Sequence, residues 1–215
     1  MAKQDQETGG SAAPAKRRRQ PEEVRARILS AALACFSKSG FEGASMPRIA
    51  RLAGVSVPLV IYHFQSKERL WRTTIEQAVS RFEQRLDALN EERGLSATEK
   101  LRQIIIVLVQ VHNEFPQFHR LMSQESHEVT QRLTWLCERF AKRHLDAMVQ
   151  IISAAQQEGG VRPVAAERLS HAIVAMATIT SQAAELKKIT GHDLFSDEET
   201  QKTIDTINRL VFVEV

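Results

Sequence analysis

Apolar residues recur along this chain at intervals of three and four, the period of amphipathic helices, and alternating strand-like runs are few. A first helix is predicted over 21–39, with Val24, Ile28, Ala31, Ala32, Cys35 and Phe36 on one face. Pro21 suits its first position, and Glu22 and Glu23 suit the positive end of the helix dipole. Gly40 ends it in the C′ role, and Phe41 then tucks under the core. A second helix follows Ser45, an N-cap residue, with Pro47 in its first turn and Ile49, Leu52 and Ala53 facing inward. Gly54 lets the chain leave that helix sharply, and Val55 plugs the turn. Ser56 caps a third helix that opens at Val57-Pro58 and closes at Phe64. Gln65 carries the next bend, and Ser66 caps a fourth helix.

That fourth helix is predicted over 67–92, with Leu70, Ile75, Ala78, Val79, Phe82, Leu86 and Leu89 as one stripe. It is too long to serve the first three helices alone, so it reads as a connector, a lever between two parts. Five more helices are predicted over 97–113, 116–125, 129–158, 165–189 and 197–212, punctuated by Gly94, Pro116, Gly159-Gly160, Pro163 and Gly191. The fold class is therefore all-α. Residues 1–20 read as a disordered basic tail, 21–66 as a three-helix domain, and 67–215 as a helical bundle. Within the bundle, Leu169, Ile173, Met176, Ala177, Ile179, Thr180, Ala183, Ala184 and Leu186 form a wide, small-sided face. The last helix offers Ile204, Ile207, Leu210 and Val211. These two late helices suit either an ordinary core or a four-helix homodimer interface.

Charge adds an asymmetry. Net charge is only +3, but residues 1–82 carry 14 Lys and Arg against 7 Asp and Glu, whereas 83–215 carry 15 against 19. A basic end on an acidic remainder suits a chain whose first third meets phosphate. No apolar run reaches the roughly 18 residues a membrane span needs, and the polar, basic start has no secretory h-region. A cytoplasmic protein without membrane contact is expected. Cys35 and Cys137 stand apart beside apolar neighbours and read as reduced core thiols. Metal-ligand spacings, a phosphate-cradling glycine loop and a nucleophile set in register with a base are all missing. An enzyme is accordingly the remote reading, and no cofactor is expected.

Two short helices joined by the Ala53-Gly54-Val55-Ser56 turn have the build of a helix-turn-helix DNA reader. The run Lys16-Arg17-Arg18-Arg19 precedes it directly, and reads either as a solvated charge run or as an arm along the DNA. In fixed register, the chain carries R-x-R-I-L-x-A-A-L-x-x-F-x-x-x-G-F-x-x-x-S-M, then I-A-x-x-A-G-V-S, then Y-H-F-x-S-K-E-x-L, across residues 25–70. On these motifs it resembles the TetR family of transcriptional regulators, while the C-terminal two-thirds resembles that family only in length and helix count.

The resemblance implies a three-helix DNA-binding domain, a helical ligand-binding and dimerisation bundle, a homodimer, and a small-molecule cavity whose occupancy lowers DNA affinity. It implies phosphate contacts from Ser45 and Ser56 at helix starts, and a phosphate or base contact from Arg48. Val57, Pro58 and Ile61 occupy base-reading positions, Tyr62 and His63 backbone-contacting ones, and Lys67 a phosphate-pairing one. Packing at the helix end is the other account of Tyr62 and His63. Many relatives carry a polar or basic residue where this chain has Val57, and Tyr where it has Ile61. A face of Val57, Pro58, Leu59 and Ile61 has few hydrogen-bond donors. It favours thymine methyls and shape readout, hence an A·T-containing half-site of a near-palindromic double-stranded operator.

For the cavity, Phe115, Phe118, Met122, Trp135, Phe140 and Met176 supply apolar bulk, and His112 and His119 supply polarity, as do Glu125, His127 and His144. Each also has an ordinary core or surface reading. Together they point to a hydrophobic or amphipathic effector of unnamed identity. The expected function is a repressor released from its operator when a ligand biases the connector helix. The alternative is a DNA binder of the same build controlled by a protein partner.

Overall fold

The computed structural model describes residues 14–91 and 94–213, and the chain is helical through nearly all of them. The first four helices are α1 (Pro14–Gly43), α2 (Met46–Ala53), α3 (Val57–Phe64) and α4 (Lys67–Glu91). The bundle follows as α5 (Ala97–Glu114), α6 (Pro116–Glu125), α7 (Gln131–Leu136), a π turn (Cys137–Ala141) and α8 (Lys142–Gln157). It ends with α9 (Ala166–Ala177), a 3-10 turn (Ile179–Gln182), α10 (Ala183–Thr190) and α11 (Asp197–Val211). Among the described residues the only β pairing is an isolated antiparallel bridge between Val161 and Phe212.

Four sequence expectations are corrected. The first helix starts at Pro14, not Pro21, so Arg17, Arg18 and Arg19 belong to its backbone and not to a disordered tail; residues 1–13 lie outside the described residues. Ala, Lys, Arg and Gln are strong helix formers, and Pro21 forfeits a single backbone hydrogen bond inside the helix. The helix then breaks at Gly40, whose φ of 67° and ψ of 177° are non-helical. The expected helix over 129–158 begins after its N-cap Thr130 and is interrupted by the π turn. The expected helix over 165–189 breaks at Thr178, where φ is −98° and ψ 13°. There Thr178, Ile179 and Thr180 form a β-branched run, and the Thr178 hydroxyl donates to the Ala175 carbonyl at 3.2 Å, competing with the helix. Cys35 is buried as expected, whereas Cys137 is exposed.

Two cores organise the molecule. The first is built from α1–α4, including Ile28, Phe36, Ile49, Val60, Phe64, Leu70, Trp71 and Ile75, and continues into the bundle through Leu121, Leu136 and Phe140. The second joins α5, α8, α9 and α11 through Leu101, Ile105, Ile152, Ile173 and Ile207. The connector α4 reaches both, with Leu70 to Val79 in the first and Phe82 packed on the second.

The far end of the second core is locked by one carboxylate. Glu158, at the end of α8, accepts hydrogen bonds from the Ala97 and Thr98 backbone N–H groups at 2.8 and 2.9 Å and from the Thr98 hydroxyl at 2.6 Å. It thus caps the positive N-terminus of a different helix, α5. The chain can turn beneath only because position 160 lacks a side chain. A Cβ there would lie 2.4 Å from Thr98 Oγ1 and 3.0 Å from its Cβ. Gly160→Ala is expected to destabilise by about 1–3 kcal/mol through this overlap, and a denaturant midpoint equal to that of the unaltered protein would contradict the close approach.

Candidate nucleic-acid interface and ligand cavity

The reader is assembled by α2, its turn and α3. Ser45 holds extended φ and ψ of −131° and 145°, and its hydroxyl accepts from the Arg48 N–H at 3.4 Å. Gly54 takes the left-handed φ of 65° and ψ of 39°, and the Val55 N–H closes the turn on the Ala50 carbonyl at 3.0 Å. Val55 packs on the first core, as a plug must. On α2 the inward face is Ile49, Ala50 and Ala53; Leu52 is 57% exposed, contrary to expectation. Ala50 takes the inward place because α1 covers one side of this two-turn helix.

Helix α3 divides cleanly. Val60 and Phe64 are buried in the first core. Ser56, Pro58, Ile61 and Tyr62 face solvent, with Ile61 48% and Tyr62 78% exposed. Val57, Leu59 and His63 are half-buried, and Val57 also packs on the core. The Ser56 hydroxyl makes no cap hydrogen bond, so Ser56 starts the helix through its backbone. Gln65 carries the bend at a positive φ of 63°, and Ser66 caps α4 by accepting from the Arg69 N–H at 3.1 Å.

Two of the expected cations are tied inward. Lys67 Nζ donates to the Phe41 and Ala44 carbonyls at 3.0 and 3.2 Å and sits 4.4 Å from the Phe41 ring centre. Only its third N–H is left for a phosphate. Arg48 donates to the Ser39 hydroxyl at 3.4 Å. Three other arginines, which the sequence reasoning missed, are exposed around the reader: Arg25 over the Phe64 ring at 4.8 Å, Arg51 on α2, and Arg69 bonded to Gln65 at 2.6 Å. Their signal in the sequence was a basic residue on the polar side of a helix that packs a reader.

Behind the reader lies a cavity of about 190 Å³. Helix α4 lines it with Ala78, Val79 and Phe82, α5 with Leu108, Val111 and His112, and Phe115 closes the joint to α6. Phe118 and Met122 come from α6, and Leu136, Phe140, Ala141 and His144 from the segment that contains the π turn. Of the residues proposed from sequence, His112, Phe115, Phe118, Met122, Phe140 and His144 therefore line one space. Five do not. Glu125 is buried against Arg132, and His127 is exposed. His119 stands behind His112, with ring centres 5.6 Å apart. Trp135 packs between Phe140 and Trp71, at 5.5 and 5.8 Å, as part of the first core. Met176 packs on the second core. Phe82, Leu108 and Leu136 were missed because long apolar stripes do not reveal which members border a void.

Burial pushes the His112, His119 and His144 imidazoles down, His119 to about 4 with His112 beside it adding to the effect. At neutral pH they are uncharged. Among the described residues no cluster of His, Cys, Asp or Glu could hold a metal ion, and no helix is long and apolar enough to cross a membrane.

Comparison with known proteins agrees with this geometry. The family model described as "Bacterial regulatory proteins, tetR family" matches residues 28–72, and that described as "Tetracyclin repressor-like, C-terminal domain" matches 98–211. The chain is 27% identical over 197 residues to the HTH-type transcriptional regulator RutR of Escherichia coli (strain K12), covering 91% of this chain and 92% of RutR. It is 30% identical over 115 residues to the HTH-type transcriptional repressor NicS of Pseudomonas putida, covering 51% of each. Among solved structures, AibR in complex with isovaleryl coenzyme A and operator DNA superposes with a TM-score of 0.72 at 19% identity, over 88% of this chain and 98% of AibR. The ketosteroid transcriptional regulator KstR2 of Mycobacterium tuberculosis gives 0.73 at 16% identity, over 88% and 95%. With its exposed reading helix and its two matched domains, the chain belongs to the TetR family of DNA-binding transcriptional regulators and is not an enzyme.

Proposed function

We propose that this regulator is a repressor. As a homodimer it reads a near-palindromic operator with α3, and it leaves the operator when a small apolar molecule occupies the cavity. The observation that carries the reading is the outward row of α3. Ile61 and Tyr62 stay exposed on a helix whose other side is fully buried, which suits a surface completed by a major groove. On this reading Val57, Pro58, Leu59 and Ile61 meet base edges, chiefly thymine methyls. Tyr62, His63, Ser45, Ser56 and the third N–H of Lys67 meet the backbone. Arg48, and Arg17, Arg18 and Arg19 ahead of it, add positive charge near phosphate.

The homodimer reading is supported by apolar surface on the late elements. Val174 on α9, Ile179 in the 3-10 turn and Leu210 on α11 are 39%, 38% and 57% exposed. The release reading is supported by α6. It gives Phe118 and Met122 to the cavity and buries Leu121 in the first core, while Gln124 donates to the Ser37 carbonyl of α1 at 3.1 Å. A ligand that fits the cavity differently in two arrangements of α4 and α6 biases the reader between them. Among relatives, NicS is named a repressor, and AibR has been solved with both an acyl-coenzyme A and operator DNA.

Fluorescence anisotropy with the DNA upstream of the chain's own gene, across a salt series, tests this. The expected result is saturable binding to a palindromic fragment with a steep salt slope, and weaker binding wherever a contacted thymine is replaced by uracil. Binding that is indifferent to sequence would sink the reading of α3.

A further inference from the structure

The cavity wall is apolar except for two imidazoles, and the proton on each can be assigned. His112 Nδ1 lies 2.6 Å from the Leu108 carbonyl oxygen. A carbonyl only accepts, so Nδ1 carries the proton and Nε2 keeps a lone pair. His144 Nε2 lies 3.2 Å from Oε1 of Glu83, which Arg143 also engages. That places the His144 proton on Nε2 and the lone pair on Nδ1. Neither lone-pair nitrogen has a hydrogen-bond partner among the described residues. Burial holds both rings neutral, as described above. The wall therefore offers acceptors and no donor of its own from these rings.

Charge and size narrow the occupant further. Among the described residues no Lys, Arg, Asp or Glu lines the cavity. A carboxylate or phosphate placed there would lose its hydration with no charged side chain on the wall to replace it. The volume of about 190 Å³ is slightly more than the roughly 150 Å³ that suffices for benzene. It is well short of the roughly 300–1,000 Å³ typical of larger ligand sites. Four phenylalanines, Phe82, Phe115, Phe118 and Phe140, supply ring faces and edges. The π turn that presents Phe140 is a feature frequent at functional sites.

We infer that the effector is a small neutral phenol, one aromatic ring whose hydroxyl donates to the free Nε2 of His112. His144 Nδ1 is the second acceptor, suited to a ring bearing a second hydroxyl. The inference rests on the reading of this cavity as the effector site and adds its ligand chemistry. Neither the volume nor the uncharged wall suits a whole acyl-coenzyme A enclosed in this cavity.

The test is titration of the full chain, followed by calorimetry and by tryptophan emission, since Trp135 meets the cavity residue Phe140 edge-on at 5.5 Å. The probes are 4-ethylphenol, its methyl ether, ethylbenzene, benzoate and isovaleryl-coenzyme A. The phenol is expected to bind saturably and roughly tenfold or more tighter than the ether and the hydrocarbon, the worth of one buried hydrogen bond. Benzoate and the coenzyme A thioester are expected not to bind. His112→Phe should erase the difference between phenol and hydrocarbon, and the probe series on the unaltered protein stands even if that variant misfolds. Equal binding of phenol and hydrocarbon, or preferred binding of benzoate, overturns the phenol assignment while leaving an effector cavity. Failure of every aromatic probe to bind, with DNA binding intact, overturns the cavity reading itself.

Discussion

Trp71→Ala is expected to destabilise the chain by about 3–5 kcal/mol, in the range for emptying a buried aromatic site. Trp71 is fully buried on α4, where the reader joins the bundle. Its ring meets Phe41 edge-on at 6.3 Å and Trp135 at 5.8 Å. Phe41 follows the break that ends the main run of α1, and Trp135 lies on α7, so the hole would open between three helices that cannot all close on it. The indole Nε1–H has no partner among the described residues. Trp71→Phe discards that unpaired donor along with part of the ring, and should therefore cost markedly less than Trp71→Ala. Urea unfolding of both variants checks the pair. A loss under about 1 kcal/mol for Trp71→Ala, the scale of an ordinary surface change, would mean that this contact does not hold reader and bundle together.

Arg132→Met is expected to cost about 3 kcal/mol, near the lower end of the range for stranding a buried partner charge. Glu125 at the end of α6 is 6% exposed. Arg132 Nε donates to its Oε2 at 3.0 Å, and a second guanidinium nitrogen reaches Glu42 at 3.5 Å. The same guanidinium lies 4.1 Å from the centre of the Phe41 ring, against which Lys67 is also packed at 4.4 Å. Removing Arg132 leaves the Glu125 carboxylate buried and unpaired and takes one cation off the ring. Glu125→Leu combined with Arg132→Met should recover most of the loss, because an apolar pair carries no desolvation penalty. A double-mutant cycle reads the coupling directly. Additive losses would show that the pair does not act as a unit. Because this cluster joins α6 and α7 to α1 and α4, the single variant is also expected to weaken operator binding.

Much of the reader was legible in the sequence because its signals are local. Ser45, Gly54, Gln65 and Ser66 each act within four residues, through a cap or a special φ, so their types and spacing are enough to locate the turns. The helices over 97–113, 116–125 and 197–212 were legible for the same reason, being bounded by Ser96, Pro116 and Ser196. The breaks at Thr178 and in the π turn were not, since apolar periodicity runs through both without a glycine or proline to mark them. Leu52 was misread because a stripe gives the period of a helix, while the neighbours decide which side of it is covered.

The sequence by itself determined an all-α chain, a helix-turn-helix at residues 45–64 and the family to which it belongs. Short-range backbone chemistry and helical periodicity need no knowledge of distant partners. Only the tertiary structure decided that Lys67 grips two carbonyls, that Arg132 and Glu125 tie the bundle to the reader, and that Trp135 and Met176 fill cores while Phe82 and His144 border a cavity. Those roles depend on which side chains from different helices converge. That convergence is set by packing across 26 residues for Lys67 and Phe41 and across 90 for Arg132 and Glu42, distances over which no local sequence signal reaches.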